Sequence, residues 1–231
     1  MCGRFTLRTP AEQLALQFSC EIPTELAPTY NAAPTQAVAA VRSEAGSPQF
    51  ARLRWGLIPV WAKDRSIGNR MINARAETVA EKPAFRAAFR ARRCLILADG
   101  YFEWRKVGRA KQPYHIRMQD DVAFAMAGLW ESWNDPQTSE PLESCTIITT
   151  EANRTTRPIH DRMPAILASP NWQIWLDPQQ REPHVLLPLL RPFDSASMVA
   201  CPVDRWVNSP RNNDPRCIAP AADILESNGT T

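Results

Sequence analysis

The chain has 231 residues, 44% of them hydrophobic, and its 27 Lys and Arg against 24 Asp and Glu leave a net charge of +3. That length and apolar content suffice for one compact domain with a sizeable core. No run approaches the roughly 18 apolar residues of a membrane span, the N-terminus lacks the pattern of a signal peptide, and so small a charge does not by itself announce nucleic-acid binding.

In chain order, the first informative segment is Met1-Cys2-Gly3-Arg4-Phe5. Removal of Met1 would leave a free amine and a thiol on adjacent carbons of Cys2. Such a 1,2-aminothiol traps aldehydes: the amine gives an imine, and the thiolate closes a five-membered thiazolidine ring. Ordinary pKa values of about 7.7 to 8.0 for an α-amine and about 8.5 for a thiol leave a reactive fraction of each at neutral pH. Position alone also fits an ordinary cysteine at a frayed end, so the rest of the chain must decide.

Thr9-Pro10-Ala11-Glu12, ahead of Leu14, Leu16 and Phe18, predicts a helix with Thr9 as N-cap, Pro10 at the first helical position and Glu12 closing a capping box. A second helix is predicted within 80–93, where Phe85 and Phe89 lie four apart and Arg86, Arg90, Arg92 and Arg93 form a charged flank. Ser169-Pro170 opens a third, with Trp172 and Trp175 as core contacts. Strands are predicted near 38–41, 50–54, 94–98, 114–118, 122–129, 144–149, 165–168 and 198–201, several followed by turn signals. Many strands with few helices, and no regular β-α alternation, predict an α+β fold built on a curved, barrel-like mixed sheet. Residues 1–220 are expected to form a single domain, with a small polar tail over 221–231 that is disordered.

The six cysteines are scattered without a C-x-x-C pair, which fits reduced thiols better than a disulfide framework or a zinc site. His115, His160 and His184 show no ligand spacing, so no metal is expected. Only four of the 27 basic residues are lysine. Arginine is the better fork for phosphate and the better stacking partner for bases, although a GC-rich coding sequence gives the same bias.

Four segments carry residues that a packed core does not need. Tyr30-Asn31-Ala32-Ala33-Pro34-Thr35 is a turn with a side-chain amide and a rigid proline. Trp55-Gly56-Leu57-Ile58-Pro59-Val60-Trp61 precedes Ile72-Asn73-Ala74-Arg75-Ala76-Glu77; on a strand, Asn73, Arg75 and Glu77 would share one face, suited to a sugar-phosphate or simply a solvated ion-pair ladder. In Asp99-Gly100-Tyr101-Phe102-Glu103-Trp104 a carboxylate sits among aromatics; burial there would raise its pKa toward neutrality, whereas an exposed strand position would leave it ordinary. Ile159-His160-Asp161-Arg162-Met163-Pro164 offers an imidazole beside an arginine.

These blocks, with Met1-Cys2-Gly3-Arg4, Ala98-Asp99-Gly100, Thr78 and Val207-Asn208-Ser209, follow one another in an order that resembles the SOS response-associated peptidase (SRAP) family, whose members process abasic sites in DNA. The resemblance extends over nearly the whole chain. It implies a single SRAP-type α+β domain and a covalent thiazolidine cross-link between N-terminal Cys2 and the ring-opened deoxyribose aldehyde of an abasic site. It further implies that Cys2 is the nucleophile, Asn73 positions the sugar, Glu103 assists ring opening and proton transfer, and His160 is the acid or base of imine formation and reversal. Arg4, Arg75 and Arg162 would hold phosphates, Asn31, Pro34 and Trp61 would meet bases or wedge the strand, and Thr149 and Asn208 complete the DNA-contacting set. The family name implies a thiol (auto)peptidase step that releases Met1, and imine chemistry leaves room for a lyase activity. The implied partner is single-stranded DNA bearing abasic sites, with no cofactor, no metal and no membrane; the protein would act as a cytoplasmic monomer, near the nucleoid in a bacterium. An N-terminal-cysteine amidohydrolase acting in trans and a non-catalytic reader of single-stranded or modified DNA are the competing classes. Two departures stand out: Tyr101-Phe102 reverses the family's commoner order, and Ala62 follows Trp61 where some members carry a second Trp.

Overall fold

A computed structural model of the chain describes residues 2–221, so the expected tail lies outside the described residues except for Ala221. Its strands are β1 (Arg4–Leu7), β2 (Thr29–Ala32), β3 (Ala37–Glu44), β4 (Ser47–Trp55), β5 (Asn73–Arg75), β6 (Arg93–Ala98), β7 (Gly100–Val107), β8 (Ala110–Met118), β9 (Phe124–Asn134), β10 (Pro141–Glu151), β11 (Arg162–Pro164), β12 (Ile166–Leu167) and β13 (Met198–Pro202). The α-helices are short: α1 (Ala11–Phe18), α2 (Arg86–Ala91), α3 (Trp172–Leu176) and α4 (Pro183–Leu186).

Five strands close a barrel, because β10 pairs with β4, β4 with β3, β3 with β6, β6 with β9, and β9 again with β10. Strands in a ring of odd number cannot all alternate in direction; the exception here is the parallel β10–β4 pair. The expected α+β fold with a curved, mixed, barrel-like sheet is therefore present. A second, antiparallel sheet runs β13-β8-β7-β1-β2.

Period-two alternation assigns the two faces of the barrel wall. Ala39, Val41, Leu95, Leu97, Ala125 and Ala127 pack with Leu14, Phe18, Phe89 and Trp175 from the helices. Their neighbours Val38, Ala40, Ile96 and Met126 join Cys2, Phe5, Tyr101 and Ile116 on the other face. Cys2 is thus tied to the core rather than frayed: it is fully buried.

Strand β10 changes partners along its length. Ser144 and Cys145 pair with β4, but Ile147, Ile148 and Thr149 pair with β5. On the opposite edge, β9 accompanies it as far as Ile147, after which Thr149, Thr150 and Glu151 pair with β11. This exchange brings the segments carrying Asn73 and Arg162 to opposite edges of one strand end.

All eight predicted strands occur, most of them longer than expected. The helices are shorter and two details differ. Thr9 does not cap α1: its N–H and hydroxyl both donate to Asp99 Oδ2, at 2.8 and 3.0 Å, so Pro10 occupies the N-cap position without a side-chain cap. Arg93 belongs to no charged flank. It is buried, beginning β6 instead of ending a helix, and its guanidinium donates to the carbonyls of Phe89, Trp175, Asp177 and Gln180. Those oxygens lie around the ends of α2 and α3, where helix carbonyls lack intrahelical partners, and burial lowers the Arg93 pKa to about 10. Trp172 is half-buried, stacked on Phe18 with ring centroids 4.5 Å apart, while Trp175 is fully buried. All six cysteines are free thiols.

Candidate active site

The Asp99-Gly100 motif anchors the strand that leads away from Cys2. Asp99 accepts hydrogen bonds from the Thr6 hydroxyl at 2.6 Å and from the backbone N–H groups of Arg8 and Thr9. Thr6 Oγ1 also lies 3.1 Å from His115 Nε2. Burial lowers the His115 pKa to about 4, so this ring is neutral at physiological pH. Gly100 is dictated by the same network: a Cβ there would stand 2.0 Å from His115 Nε2. Gly56 is required for a different reason, since its φ of +119° and a gap of 2.6 Å to the Gly68 carbonyl oxygen leave no place for a side chain.

The antiparallel β1–β7 register pairs Arg4 with Phe102 and Phe5 with Tyr101. Glu103 therefore falls beside the chain end that holds Cys2. The Asn73 side-chain amide donates to the Cys2 carbonyl oxygen at 2.8 Å, fixing that peptide group from β5. Asn73 Oδ1 is buried and has no hydrogen-bond partner among the described residues. Desolvation raises the Cys2 thiol pKa well above its ordinary value, and the charge of Glu103 raises it further. With Met1 in place, Cys2 is accordingly a protonated thiol whose nitrogen is locked in a peptide bond.

Glu103 is buried, not an exposed strand carboxylate. Burial raises its pKa to about 7, and the carboxylate of Asp161 pushes in the same direction. A group poised near neutrality is suited to both taking and giving a proton. His160 is half-buried, and desolvation lowers its pKa below the ordinary 6.5. Its Nδ1 accepts the Arg162 backbone N–H at 3.0 Å, which places the imidazole proton on Nε2. The 3.0 Å approach of the exposed Asp161 carboxylate to the same Nδ1 would need a proton there. We assign the Nε2 tautomer because the backbone donor has no alternative proton arrangement.

Arg4, Glu103, Trp104, Lys111, His160 and Asn208 line a single cleft of about 460 Å³. Four of these were expected from sequence and come from segments far apart in the chain. Trp104 and Lys111 were not: Trp104 lay inside a recognised motif without a role, and Lys111 sits in no motif at all. The β7–β8 register brings it in.

The remaining candidates divide by environment. Arg4 donates to Asn31 Oδ1 and to the carbonyl oxygen of Val207, both at 3.0 Å. Asn31 is buried, and its amide nitrogen donates to the carbonyls of Val207, Ser209 and Asn212; it secures the C-terminal segment to β2. The Asn208 side chain accepts from the Trp104 indole at 2.8 Å. Arg162 forms a bidentate pair with Glu77, at 2.6 and 2.9 Å, and donates to the Thr149 carbonyl oxygen. Glu77 is correspondingly held below the usual carboxylate range, its hydrogen bonds to Arg162 being the largest cause. Thr149 is buried, with its hydroxyl 3.4 Å from the Ala74 carbonyl oxygen. Arg75 and Trp61 are exposed and Pro34 is half-buried.

The two departures from the family pattern have structural consequences. Tyr101 points into the same apolar cluster as Cys2, whereas Phe102 packs with Val203, Val207 and Cys217. Ala62 is buried against Ile58 and Trp133, and its carbonyl oxygen accepts the Trp133 indole N–H at 2.7 Å. A tryptophan would not fit there without moving this packing.

Comparison with known proteins agrees with the geometry. A protein described as abasic site processing protein YoqW, from Bacillus subtilis, is 45% identical over 222 residues, covering 94% of this chain and 99% of its own. Abasic site processing protein HMCES of Xenopus tropicalis is 35% identical over 192 residues, covering 74% of this chain and 57% of the relative. A crystal structure of a protein from Bacteroides thetaiotaomicron superposes with a TM-score of 0.87 at 31% identity, covering 95% of this chain and all of that one. A profile described as SOS response associated peptidase (SRAP) matches residues 1–210. With its barrel, its buried Cys2 and the convergence of Glu103 and His160 on one cleft, the chain belongs to the SRAP family.

Proposed function

We propose that this protein processes abasic sites, using Cys2 to form a covalent thiazolidine cross-link to the ring-opened sugar in single-stranded DNA. The observation that carries the reading is the placement of Glu103, with its pKa near 7, beside Cys2 and in the same cleft as His160. The names borne by the bacterial and vertebrate relatives support the choice of an abasic site as substrate.

Hydrolysis of the Met1–Cys2 peptide bond first frees the amine. An abasic deoxyribose is mostly a closed hemiacetal, and protonation of its ring oxygen by Glu103, with loss of the hydroxyl proton, opens it to the aldehyde. The Cys2 amine adds to that carbonyl, and the carbinolamine loses water to give an imine, a step that needs an acid for the leaving hydroxyl. His160, with its proton on Nε2 in the neutral ring, or Glu103 can serve. The thiol sulfur then adds to the imine carbon while its proton passes to the nitrogen, closing the ring. Overall, aldehyde and aminothiol give thiazolidine and one water. Asn73 holds the Cys2 carbonyl throughout, so amine and thiol share one fixed geometry, the usual source of large effective molarity. Arg4, Arg75 and Arg162 are assigned to phosphates, Arg162 after exchanging Glu77 for the DNA, and Pro34 and Trp61 to the gap left by the missing base. A site lacking a base costs little unstacking, which favours damaged over intact strands.

Incubation of purified protein with an abasic oligonucleotide, followed by intact-mass measurement, tests the proposal. The expected product is a denaturant-resistant adduct of protein lacking Met1, with its mass raised by the oligonucleotide minus one water. Cys2→Ala should yield none. The same thiazolidine adduct in the alanine variant would overturn the assignment.

A further inference from the structure

The turn between β7 and β8 carries a run of charge that the chemistry above does not use. Residues 105–111 are all exposed. They read Arg105-Lys106-Val107-Gly108-Arg109-Ala110-Lys111, and no acidic residue occurs between Glu103 and Asp120. Two of the four lysines in the chain fall in this hairpin.

The strand register makes the arrangement more specific than a basic surface. Lys106 is the direct cross-strand partner of Lys111. Side chains so placed extend from the same face, with Cβ atoms about 5 Å apart, and like charges there destabilise the pair. Among the described residues no ion pair relieves it, whereas Arg42, Arg92 and Arg162 each meet a glutamate. Period two puts Trp104 on that same face, opposite Pro113, about 7 Å along the strand from Lys106. Both Trp104 and Lys111 also line the cleft with Glu103 and His160. The charged face is therefore continuous with the reacting site.

We propose that the Lys106–Lys111 pair is a phosphate clamp that carries the DNA backbone out of the cleft along the β7–β8 hairpin, past the indole of Trp104. The inference rests on the reading that the cleft takes an abasic strand. An unpaired cross-strand lysine pair is costly alone and is satisfied by one anionic backbone running between the two ammonium groups. A polymer of phosphates entering a cleft that already holds Arg4 would meet the pair on leaving it. Arg105 and Arg109 would add long-range attraction at the hairpin tip.

The test is run in full-length Cys2→Ala protein, where binding is reversible and independent of cross-linking. Affinity for a single-stranded oligonucleotide with one abasic site is measured by anisotropy across a range of salt. Each lost phosphate contact on a single strand lowers the slope of log K against log salt by about 0.7, so K106Q/K111Q should lose about 1.4 from the slope. K106R/K111R should restore it. Oligonucleotides shortened on the 5′ or the 3′ side then locate the clamp: shortening one side should weaken the parent protein and leave K106Q/K111Q unaffected. A slope unchanged in K106Q/K111Q, or no salt-dependent binding by the parent, would overturn the clamp. Failure of the cleft reading shows separately, as absence of any adduct with the unmodified Cys2 protein. Thermal unfolding of each variant guards against misfolding, which exposed Lys→Gln changes on a hairpin do not provoke.

Discussion

Replacing Glu103 with glutamine should stabilise the folded protein at neutral and alkaline pH while slowing its chemistry. The carboxyl titrates near 4.5 when unperturbed and at about 7 when folded, because burial penalises its charge. Between those values the unfolded chain has released a proton that the folded chain still holds. Stability from this group is complete below about pH 4.5 and is lost as the pH rises through about 7. At about 1.4 kcal/mol per pH unit, the loss amounts to about 3 kcal/mol. Glutamine has nearly the same shape and no titration. The difference in unfolding free energy, Glu103→Gln minus the parent, should therefore rise with pH across that window and level off above it. Urea unfolding followed by tryptophan fluorescence, repeated from about pH 4.5 to about pH 8, reads this difference directly. Parallel pH profiles for the two proteins would refute the claim that the carboxyl is held out of water. In the cross-linking assay the same variant should be slower by about 10²- to 10⁴-fold, the usual contribution of a positioned acid or base. A residue whose removal strengthens the fold and weakens the reaction is what a buried functional carboxylate requires.

Two further outcomes follow from the site's surroundings. Gly100→Ala drives a methyl group into His115 and should disturb the Thr6–Asp99–His115 network, costing about 1–3 kcal/mol in urea unfolding; an unchanged midpoint would show that β7 is not pinned there. His160→Ala should still cross-link, but should form or reverse the bond about 10²-fold more slowly. Equal rates in quench-flow and in exchange onto a competing oligonucleotide would remove His160 from the mechanism.

Local chemistry made much of this protein legible before any fold was known. The aminothiol that removal of Met1 would create at Cys2 follows from position and covalent structure, so it needs no tertiary information. The eight strands at 38–41, 50–54 and onward were legible as apolar or β-branched runs, several of them followed by turn signals. The strands β1, β2, β7 and β11 were not: β1, β2 and β11 have only three or four residues, and β7 mixes aromatics with charge from Glu103 to Lys106, so their pairings in the sheets define them. Thr9 illustrates the same competition: its local pattern favours a cap, but the carboxylate of Asp99, ninety residues away, offers its hydroxyl a better acceptor. Arg93 reads as surface charge in sequence and becomes a buried clamp because four carbonyl oxygens converge where α2 and α3 end.

What the sequence determined by itself was the candidate nucleophile, Cys2, and the inventory of amides, acids and imidazoles to set around it. Whether Glu103 was an ordinary carboxylate or a neutral-range acid depended on its solvent exposure, which strand alternation leaves open and which the packing of β1 against β7 decided. The coming together of Arg4, Glu103, His160 and Asn208, and the recruitment of Lys111 beside them, likewise depended on register and on the partner exchange along β10. Those are long-range pairings, fixed by the simultaneous burial of two sheet faces, and no local stretch of the chain contains them.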